Sequence, residues 1–423
     1  MGSHIRGWAG VLAALALIGS AAGCSTRGSD RDAAIEVDAP TALMDTAVHL
    51  RVTGLTAGEQ VTVHSQAKDQ LGKEWHGEAD LRADGHGRIE LDTAEPAGGT
   101  YQAADGMGLF WSMTPQDGEG DPESTSFRPP IADPHGYRVT VTVSAHGQQL
   151  ASRALTRQWI GVGVTHRELT LAADHVVGEL YLPAPGTPRH PAVLVFGGSD
   201  GGNSKLFEAA MLASHGYPAL SLGYFGLPGL PAKLEDVPLE YFAAAARLLA
   251  AQPGVDPAHV LAMGTSRGSE AALLLAERYP DLVHGAVVYA PSAQVVPGFP
   301  DEGTTAWTDG GKPVPQGDIP LDRVSGPVLA LAGWEDQVWA AGAAAGQIDR
   351  TLSAAANRYP HQALVYPAAG HGVGTLPYLP TGTSLVHPVL DKLASLGGSR
   401  PANAAAKAAG WPKVLAMLAA LDG

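Results

Sequence analysis

Residues 259–278 read HVLAMGTSRGSEAALLLAER, and this stretch decides the fold. Residues 259–263 form the apolar run of a buried strand, and the alanines and leucines after Gly268 favour a helix. Between them lies the motif Gly264-x-Ser266-x-Gly268, whose glycines permit a tight turn that lifts a serine hydroxyl above the edge of a sheet. The order strand, turn, helix therefore predicts that Ser266 is a nucleophile.

An alternation of strands and helices extends over residues 165–423. Apolar runs predict strands over residues 192–196, 219–222, 259–263, 285–290, 327–332 and 362–366. Helices are predicted over residues 203–215, 236–252, 268–279 and 338–353, with one more at the carboxyl end. Strands that alternate with helices form a mostly parallel sheet with helices on both faces. Together with the turn at Ser266, this pattern indicates an α/β-hydrolase fold.

A nucleophilic serine requires a base and a carboxylate, which follow it in the chain order serine, acid, histidine. His371 lies in a Gly-flanked loop after the last predicted strand, where the base is expected. The acid is Asp336 or Glu335, directly after the strand over residues 327–332, and Asp336 is favoured. The catalytic prediction is therefore Ser266, Asp336 and His371. Three other histidines are predicted to be surface residues: His284, His361 and His387.

Two backbone N–H groups are predicted to hold the oxyanion that forms when a serine attacks a carbonyl group. One belongs to Arg267, at the amino terminus of the helix that follows the turn over residues 264–268, the nucleophile elbow. The other comes from the Gly-rich loop after the strand ending at Phe196, with Ser199 the first choice and Gly198 the second. That loop lacks the spacing of a dinucleotide or phosphate loop, and no metal-binding motif occurs, so neither a cofactor nor a metal is predicted.

Residues 35–160 have a different pattern, in which apolar and polar residues alternate along short segments such as residues 137–143. Alternation of this kind buries one face of an antiparallel sheet and predicts an immunoglobulin-like β-sandwich. Trp75, Phe110 and Trp111 are expected in its core or at the domain interface. The two tryptophans that flank the proposed acid, Trp334 and Trp339, could line an acyl pocket or pack in the core.

The amino terminus resembles an export signal. Residues 7–23 carry no charge, follow Arg6 and are shorter than the roughly 20 residues of a spanning helix. They end at Cys24, the only cysteine of the chain, in the manner of a bacterial lipoprotein. We therefore expect a signal peptide over residues 1–23, a lipid-anchored tether over residues 24–34, and a location on the outer face of the cell membrane. Plain secretion is the alternative.

Composition excludes several other classes of protein. The chain has 423 residues and a net charge of −15, which argues against a protein that binds duplex nucleic acid. Its 45% of apolar and 16% of charged residues exclude an intrinsically disordered chain. A single cysteine excludes a disulfide framework.

Several short motifs resemble the acyl-CoA thioesterase and bile acid-CoA:amino acid N-acyltransferase family. The most specific are GMGLFWSM at residues 106–113 and PLEYF at residues 238–242. The resemblance implies an amino-terminal β-sandwich on an α/β-hydrolase domain, with the triad at Ser266, Asp336 and His371. Members with a nucleophilic cysteine tend to transfer the acyl group to an amino acid, whereas members with serine tend to hydrolyse the thioester. Ser266 therefore implies hydrolysis.

Three hypotheses about function follow. The first is a serine hydrolase that cleaves acyl thioesters through an acyl-enzyme. The second is an exported carboxylic-ester hydrolase or acyltransferase acting on a lipid or small ester, because the leader places the chain where acyl-CoA is not expected. The third is a binding module with an inactive hydrolase domain, which the intact order of Ser266, Asp336 and His371 disfavours. The sequence leaves the oligomeric state open.

Overall fold

The structure is a computed structural model that describes residues 33–116, 124, 127–132, 136–374 and 376–422. The strands of the first part are β1 (Ala34–Val37), β2 (Thr41–Leu43), β3 (Leu50–Thr53), β4 (Gln60–Lys68), β5 (Glu74–Arg82), β6 (Ile89–Glu90), β7 (Gly98–Gly99), β8 (Thr114–Pro115), β9 (Tyr137–Ala145) and β10 (Gln148–Gln158). They accompany one short helix, α1 (Gly108–Trp111).

The second part contains strands β11 (Thr165–Leu169), β12 (Val177–Leu182), β13 (His190–Phe196), β14 (Ala219–Gly223), β15 (Val237–Pro238), β16 (Val255–Thr265), β17 (Gly285–Tyr289), β18 (Gln294–Val295), β19 (Trp307–Asp309), β20 (Lys312–Pro313), β21 (Gly317–Asp318), β22 (Val328–Gly333), β23 (His361–Tyr366), β24 (Ser384–His387) and β25 (Lys392–Ser395). Its helices are α2 (Leu171–Asp174), α3 (Leu206–Ser214), α4 (Leu239–Ala250), α5 (Arg267–Arg278), α6 (Ala341–Ala354), the 3₁₀ turn His371–Val373, and α7 (Arg400–Ala419).

The first part is built from two sheets that share a hydrophobic core. The smaller has the strand order β1-β3-β6, and the larger has the order β2-β10-β9-β4-β5-β7, with β8 beside β5. Burial alternates along β4 and β9, as the period of two in the sequence predicts. Trp75, Phe110 and Trp111 are all buried in this core, which confirms the prediction made for them.

One strand pairing differs from the antiparallel pattern that the sequence predicts. β2 pairs with β10 in parallel, with Thr41 opposite Thr156. β2 can join the edge of the larger sheet in this way because no tight hairpin connects it to β10.

The second part is an eight-stranded sheet in the order β11-β12-β14-β13-β16-β17-β22-β23. The first two pairings, β11 with β12 and β12 with β14, are antiparallel, and every pairing from β14 onward is parallel. β14, β17 and β22 are buried along their whole length, which is why the sequence there reads as unbroken apolar runs. The α/β fold predicted from the alternation is thereby confirmed.

The two parts meet at the end of α1 and at Asp45. Thr381 N–H donates to Trp111 O (2.9 Å), and the Arg400 guanidinium donates to the carbonyl oxygens of Ser112 (2.7 Å) and Met113 (3.0 Å). The sequence motif around α1 thus contacts the segment between His371 and α7. Within the described ranges, no helix is both long enough and apolar enough to cross a membrane.

Candidate active site

Ser266 lies in a strained turn between β16 and α5. Its φ of 56° and ψ of −123° fall where a residue with a side chain is rarely found. The turn is fixed to the sheet, because Ser266 N–H donates to Tyr289 O (2.9 Å) on the neighbouring strand, β17. Only 9% of Ser266 is exposed. The backbone therefore presents this one hydroxyl group at the carboxyl edge of the sheet.

Close approach of the backbone explains both glycines of the elbow. A β-carbon on Gly264 would overlap the carbonyl oxygen of Gly268, on the far side of the turn. A β-carbon on Gly268 would overlap the carbonyl oxygen of Gly197, in the loop after β13. The second glycine therefore lets the helix and the loop touch.

Asp336 and His371 are joined by a hydrogen bond of 2.7 Å between Asp336 Oδ2 and His371 Nδ1. The Asp336 side chain is fully buried, and its other oxygen accepts the N–H groups of Val338 (2.8 Å) and Trp339 (3.1 Å). Both carboxylate oxygens are thus committed, which orients the imidazole. Glu335, the alternative acid, is exposed.

The turn that carries His371 lies against the elbow. A β-carbon on Gly374, at its end, would lie 3.0 Å from Thr265 Cγ2, next to Ser266. The indole of Trp339 packs edge-on against the His371 ring with centroids 5.6 Å apart, whereas Trp334 is 65% exposed. The structure thus places Trp339 beside the proposed base. Across the described residues, no three His, Cys, Asp or Glu side chains group as metal ligands.

The loop after β13 lies against the nucleophile. A β-carbon on Gly198 would lie 2.8 Å from Ser266 Cβ and 3.4 Å from Arg267 N. Gly198 N–H already donates to Asp200 Oδ1 (2.8 Å), whereas Ser199 N–H has no acceptor in the described part of the chain. The geometry thus favours Ser199 over Gly198 as the second donor.

Two family profiles match the chain. A profile described as "Acyl-CoA thioester hydrolase/BAAT N-terminal region" matches residues 45–171. Another, "BAAT / Acyl-CoA thioester hydrolase C terminal", matches residues 237–302 and 302–420. The chain belongs to the acyl-CoA thioester hydrolase/BAAT family.

Curated relatives of this family member are of two kinds. Acyl-coenzyme A thioesterase 6 of Mus musculus is 29% identical over 396 residues, which cover 88% of this chain and 92% of the relative. Acyl-coenzyme A amino acid N-acyltransferase 1 of Mus musculus is 28% identical over 406 residues, which cover 88% and 94% respectively. The chain is thus an enzyme of the thioesterase-like hydrolase group, related along most of its length to thioesterases and to acyltransferases.

In this family member the Arg267 side chain braces the elbow. Its Nε donates to Glu270 Oε1 (2.5 Å) and its Nη2 to the carbonyl oxygen of Pro297 (2.6 Å). The same carboxylate accepts the indole N–H of Trp307 (3.0 Å). Burial raises the pKa of Glu270, and the charge of Arg267 opposes that shift. The guanidinium is thus hydrogen-bonded to protein groups, namely Glu270 and Pro297. The backbone N–H of Arg267 is therefore the donor of this residue that a substrate could use.

Asn403 of α7 holds the His371 loop, and the sequence analysis missed it. Its Oδ1 accepts Gly370 N–H (2.8 Å), and its Nδ2 donates to the carbonyl oxygens of Gly382 (3.0 Å) and Gly397 (3.2 Å). The side chain is fully buried. An asparagine in an alanine-rich helix carries no sequence signal for this role, since two of its three partners, Gly370 and Gly382, lie 33 and 21 residues away.

A group of buried charges beside the site was also missed. Lys205 Nζ donates to Gly374 O (2.9 Å) at the end of the His371 turn and to Glu208 Oε1 (3.1 Å). Lys407 Nζ donates to Thr381 Oγ1 (2.9 Å), and burial lowers the pKa of Lys407 to about 7. Lys205 thus ties the loop after β13 to the turn that carries the proposed base.

The prediction that His387 is a surface residue was wrong. His387 is half-buried at the end of β24, and its Nε2 lies 3.0 Å from Ser199 Oγ. His284 and His361 are likewise half-buried. A hairpin 188 residues away in sequence covers the loop after β13, so local pattern alone could not reveal the contact.

Proposed function

We propose that the chain is a serine hydrolase that cleaves acyl thioesters through a Ser266-Asp336-His371 triad. The observation that carries the proposal is the 2.7 Å hydrogen bond between Asp336 and His371, at the sheet edge that also carries the strained Ser266. Its relatives include acyl-coenzyme A thioesterases, which supports a thioester as the substrate.

The first half of the reaction forms an acyl-enzyme. His371 Nε2 accepts the proton of Ser266 as the hydroxyl oxygen attacks the carbonyl carbon, and Asp336 stabilises the resulting imidazolium. The N–H groups of Arg267 and Ser199 stabilise the negative oxygen of the tetrahedral intermediate. When the intermediate collapses, the carbon–sulfur bond breaks and His371 returns the proton to the departing thiolate.

The second half releases the acid. His371 removes a proton from a water molecule, whose oxygen attacks the acyl-Ser266 ester, and the proton then passes to the Ser266 oxygen. Water as the acceptor makes this chain a hydrolase, and an amine in its place would make it an acyltransferase.

Ser266→Ala tests the nucleophile. We expect it to lower kcat/KM for a long-chain acyl-CoA by about 10⁵–10⁶-fold, because no other group can form the acyl-enzyme. Release of free thiol measures the reaction, and Ser353→Ala, at an exposed serine of α6, is the matched control. Circular dichroism checks that both variants are folded. Turnover by Ser266→Ala at the unsubstituted rate would overturn the triad.

A panel of substrates separates the two substrate classes, with release of thiol measured for thioesters and release of p-nitrophenol measured for esters. Acyl-CoAs, small thioesters and p-nitrophenyl esters of equal chain length are compared, with and without glycine as an acceptor. Turnover of esters alone would favour an exported ester hydrolase, the second candidate, which the uncharged leader at residues 7–23 supports. An amide product would instead indicate acyl transfer.

We further infer that the chain is exported and anchored through a lipid on Cys24. The support is the uncharged run that ends at this single cysteine, and both lie outside the described residues. Cys24→Ser should move the protein from the membrane fraction of bacterial cells to the soluble exported fraction, as fractionation would show. Continued membrane retention of this variant would contradict a lipid anchor, as would a soluble unsubstituted chain.

A further inference from the structure

The hydroxyl group of Ser199 has one hydrogen-bond partner among the described residues, His387 of the β24–β25 hairpin. Ser199 Oγ and His387 Nε2 are 3.0 Å apart. The hydroxyl can donate one hydrogen bond and accept others, so the direction of this contact determines where its own proton points.

The hydrogen bonds of the other ring nitrogen, Nδ1, show which of the two groups donates. His387 Nδ1 accepts the backbone N–H groups of Val389 (3.2 Å) and Leu390 (3.4 Å). A backbone N–H can only donate, so Nδ1 must present a lone pair. A neutral imidazole carries one proton, which must then lie on Nε2. His387 therefore donates to Ser199, and the Ser199 proton points elsewhere.

The surroundings keep this ring neutral. Burial lowers the pKa of His387, and the charge of Asp200, in the loop after β13, opposes that shift. The aromatic ring of Phe299 packs on the imidazole at 5.2 Å between centroids and offers no counter-ion. A proton on Nδ1 would also point toward the N–H groups of Val389 and Leu390 and repel them. The donating tautomer of His387 is thus the state that this pocket favours.

The proton of Ser199 is free to serve a substrate. No protein acceptor for it occurs in the described part of the chain, and the preceding residue, Gly198, lies against Ser266. We propose that the Ser199 hydroxyl is a third donor to the oxyanion, and that His387 is a positioning residue that holds it in the donating orientation. This inference rests on the proposed serine hydrolase and adds a side-chain donor to its two backbone donors.

Four single variants and one double variant test the inference. Ser199→Ala should lower kcat for an acyl thioester about 10²-fold with KM changed less than about twofold, because the contact strengthens only in the transition state. His387→Ala should lower kcat about tenfold, and Ser199→Ala/His387→Ala should be no slower than Ser199→Ala. Ser199→Thr and His387→Gln, which keep a hydroxyl and an N–H donor, should restore most of the rate.

A second measurement separates this inference from the proposed function. Labelling of Ser266 by a fluorophosphonate requires the oxyanion donors but no acyl substrate. If the unsubstituted chain is labelled, Ser199→Ala should slow the labelling by the same factor as kcat. Unchanged labelling and kcat in Ser199→Ala, or additive losses in the double variant, would overturn the inference while leaving the triad intact. Absence of labelling in the unsubstituted chain would overturn both.

Discussion

Two adjacent carboxylates, Glu335 and Asp336, follow β22, and their side chains differ in burial and in hydrogen bonding. Asp336 is buried and bonded to His371, to Val338 N–H and to Trp339 N–H. Glu335 is exposed, and only its backbone takes part in the loop, through a bond from its N–H to Ala369 O (2.9 Å). The turn that follows β22 thus buries the side chain of Asp336 and leaves that of its neighbour in solvent.

This contrast predicts a matched pair of variants at the residue scale. Asp336→Asn keeps the shape of the side chain but cannot stabilise the imidazolium of His371, so kcat should fall about 10⁴-fold. Glu335→Gln removes an exposed charge and should leave kcat within about twofold. Steady-state hydrolysis of the same thioester measures both. A comparable loss in both variants would argue against Asp336 as the orienting acid.

At the scale of elements, α7 positions the loop that carries His371, although its own side chains lie outside the proposed triad. Asn403 makes three hydrogen bonds, to Gly370 beside the proposed base and to two other loop residues, Gly382 and Gly397. A single buried side chain thus joins segments that precede and follow the β24–β25 hairpin. The position of His371 depends on this helix as well as on the sheet.

Asn403→Ala should therefore affect both stability and turnover. It leaves one buried N–H and two buried carbonyl oxygens without partners, which costs about 2–4 kcal/mol of unfolding free energy. We also expect a fall of about tenfold or more in kcat, because the His371 loop loosens. Chemical denaturation and thiol release measure the two effects.

Asn357→Ala is the control for this prediction. Asn357 likewise bridges two segments, through Val324 O (2.9 Å) and Tyr359 N–H (2.8 Å), but it lies away from His371. This variant should lose stability and keep its kcat at a temperature where it is folded. Equal kcat losses in both variants would show that the effect is general destabilisation.

The elements of the sheet, the turn at Ser266 and the pairing of Asp336 with His371 could be predicted from sequence because their signals are local. The elbow at Ser266, the apolar strands and the loops at Asp336 and His371 each occupy a few consecutive residues. What could not be predicted depends on contacts between distant residues, such as Lys205 with Gly374, Asn403 with Gly370, and Ser199 with His387. The β24–β25 hairpin also lacks a pattern strong enough to identify it.

At the scale of the whole molecule, the β-sandwich contacts the segment that follows the His371 turn. The carbonyl oxygens at the end of α1 accept hydrogen bonds from Thr381, which lies between His371 and α7, and from Arg400, the first residue of α7. Removal of the sandwich would take away the carbonyl oxygens that accept the Thr381 N–H and the Arg400 guanidinium. The GMGLFWSM motif of the first part is thus in direct contact with the second part.

A second contact between the two parts depends on pH. Asp45, in the sandwich part, accepts hydrogen bonds from His215 Nε2 (2.6 Å) after α3 and from Trp411 Nε1 (2.7 Å) of α7. The Asp45 side chain is 1% exposed, and its hydrogen bond and charge raise the pKa of His215 above the usual 6.5, although burial opposes the shift. The protonated imidazole thus stabilises the folded chain.

Because the pKa of His215 is raised in the folded state, its contribution to stability falls as pH rises. Because the folded state binds the His215 proton more tightly than the unfolded state does, the stabilisation is complete below pH 6.5 and is lost as pH rises through the folded pKa. His215→Ala should therefore lower the free energy of unfolding by about 1–2 kcal/mol at pH 5.5, and by progressively less toward pH 8.5. Urea unfolding at four pH values measures the difference. His86→Ala, at an exposed histidine, is the control and should change little at any pH. A destabilisation by His215→Ala that is constant or grows with pH would mean that the pair is held by packing and not by the charge on His215.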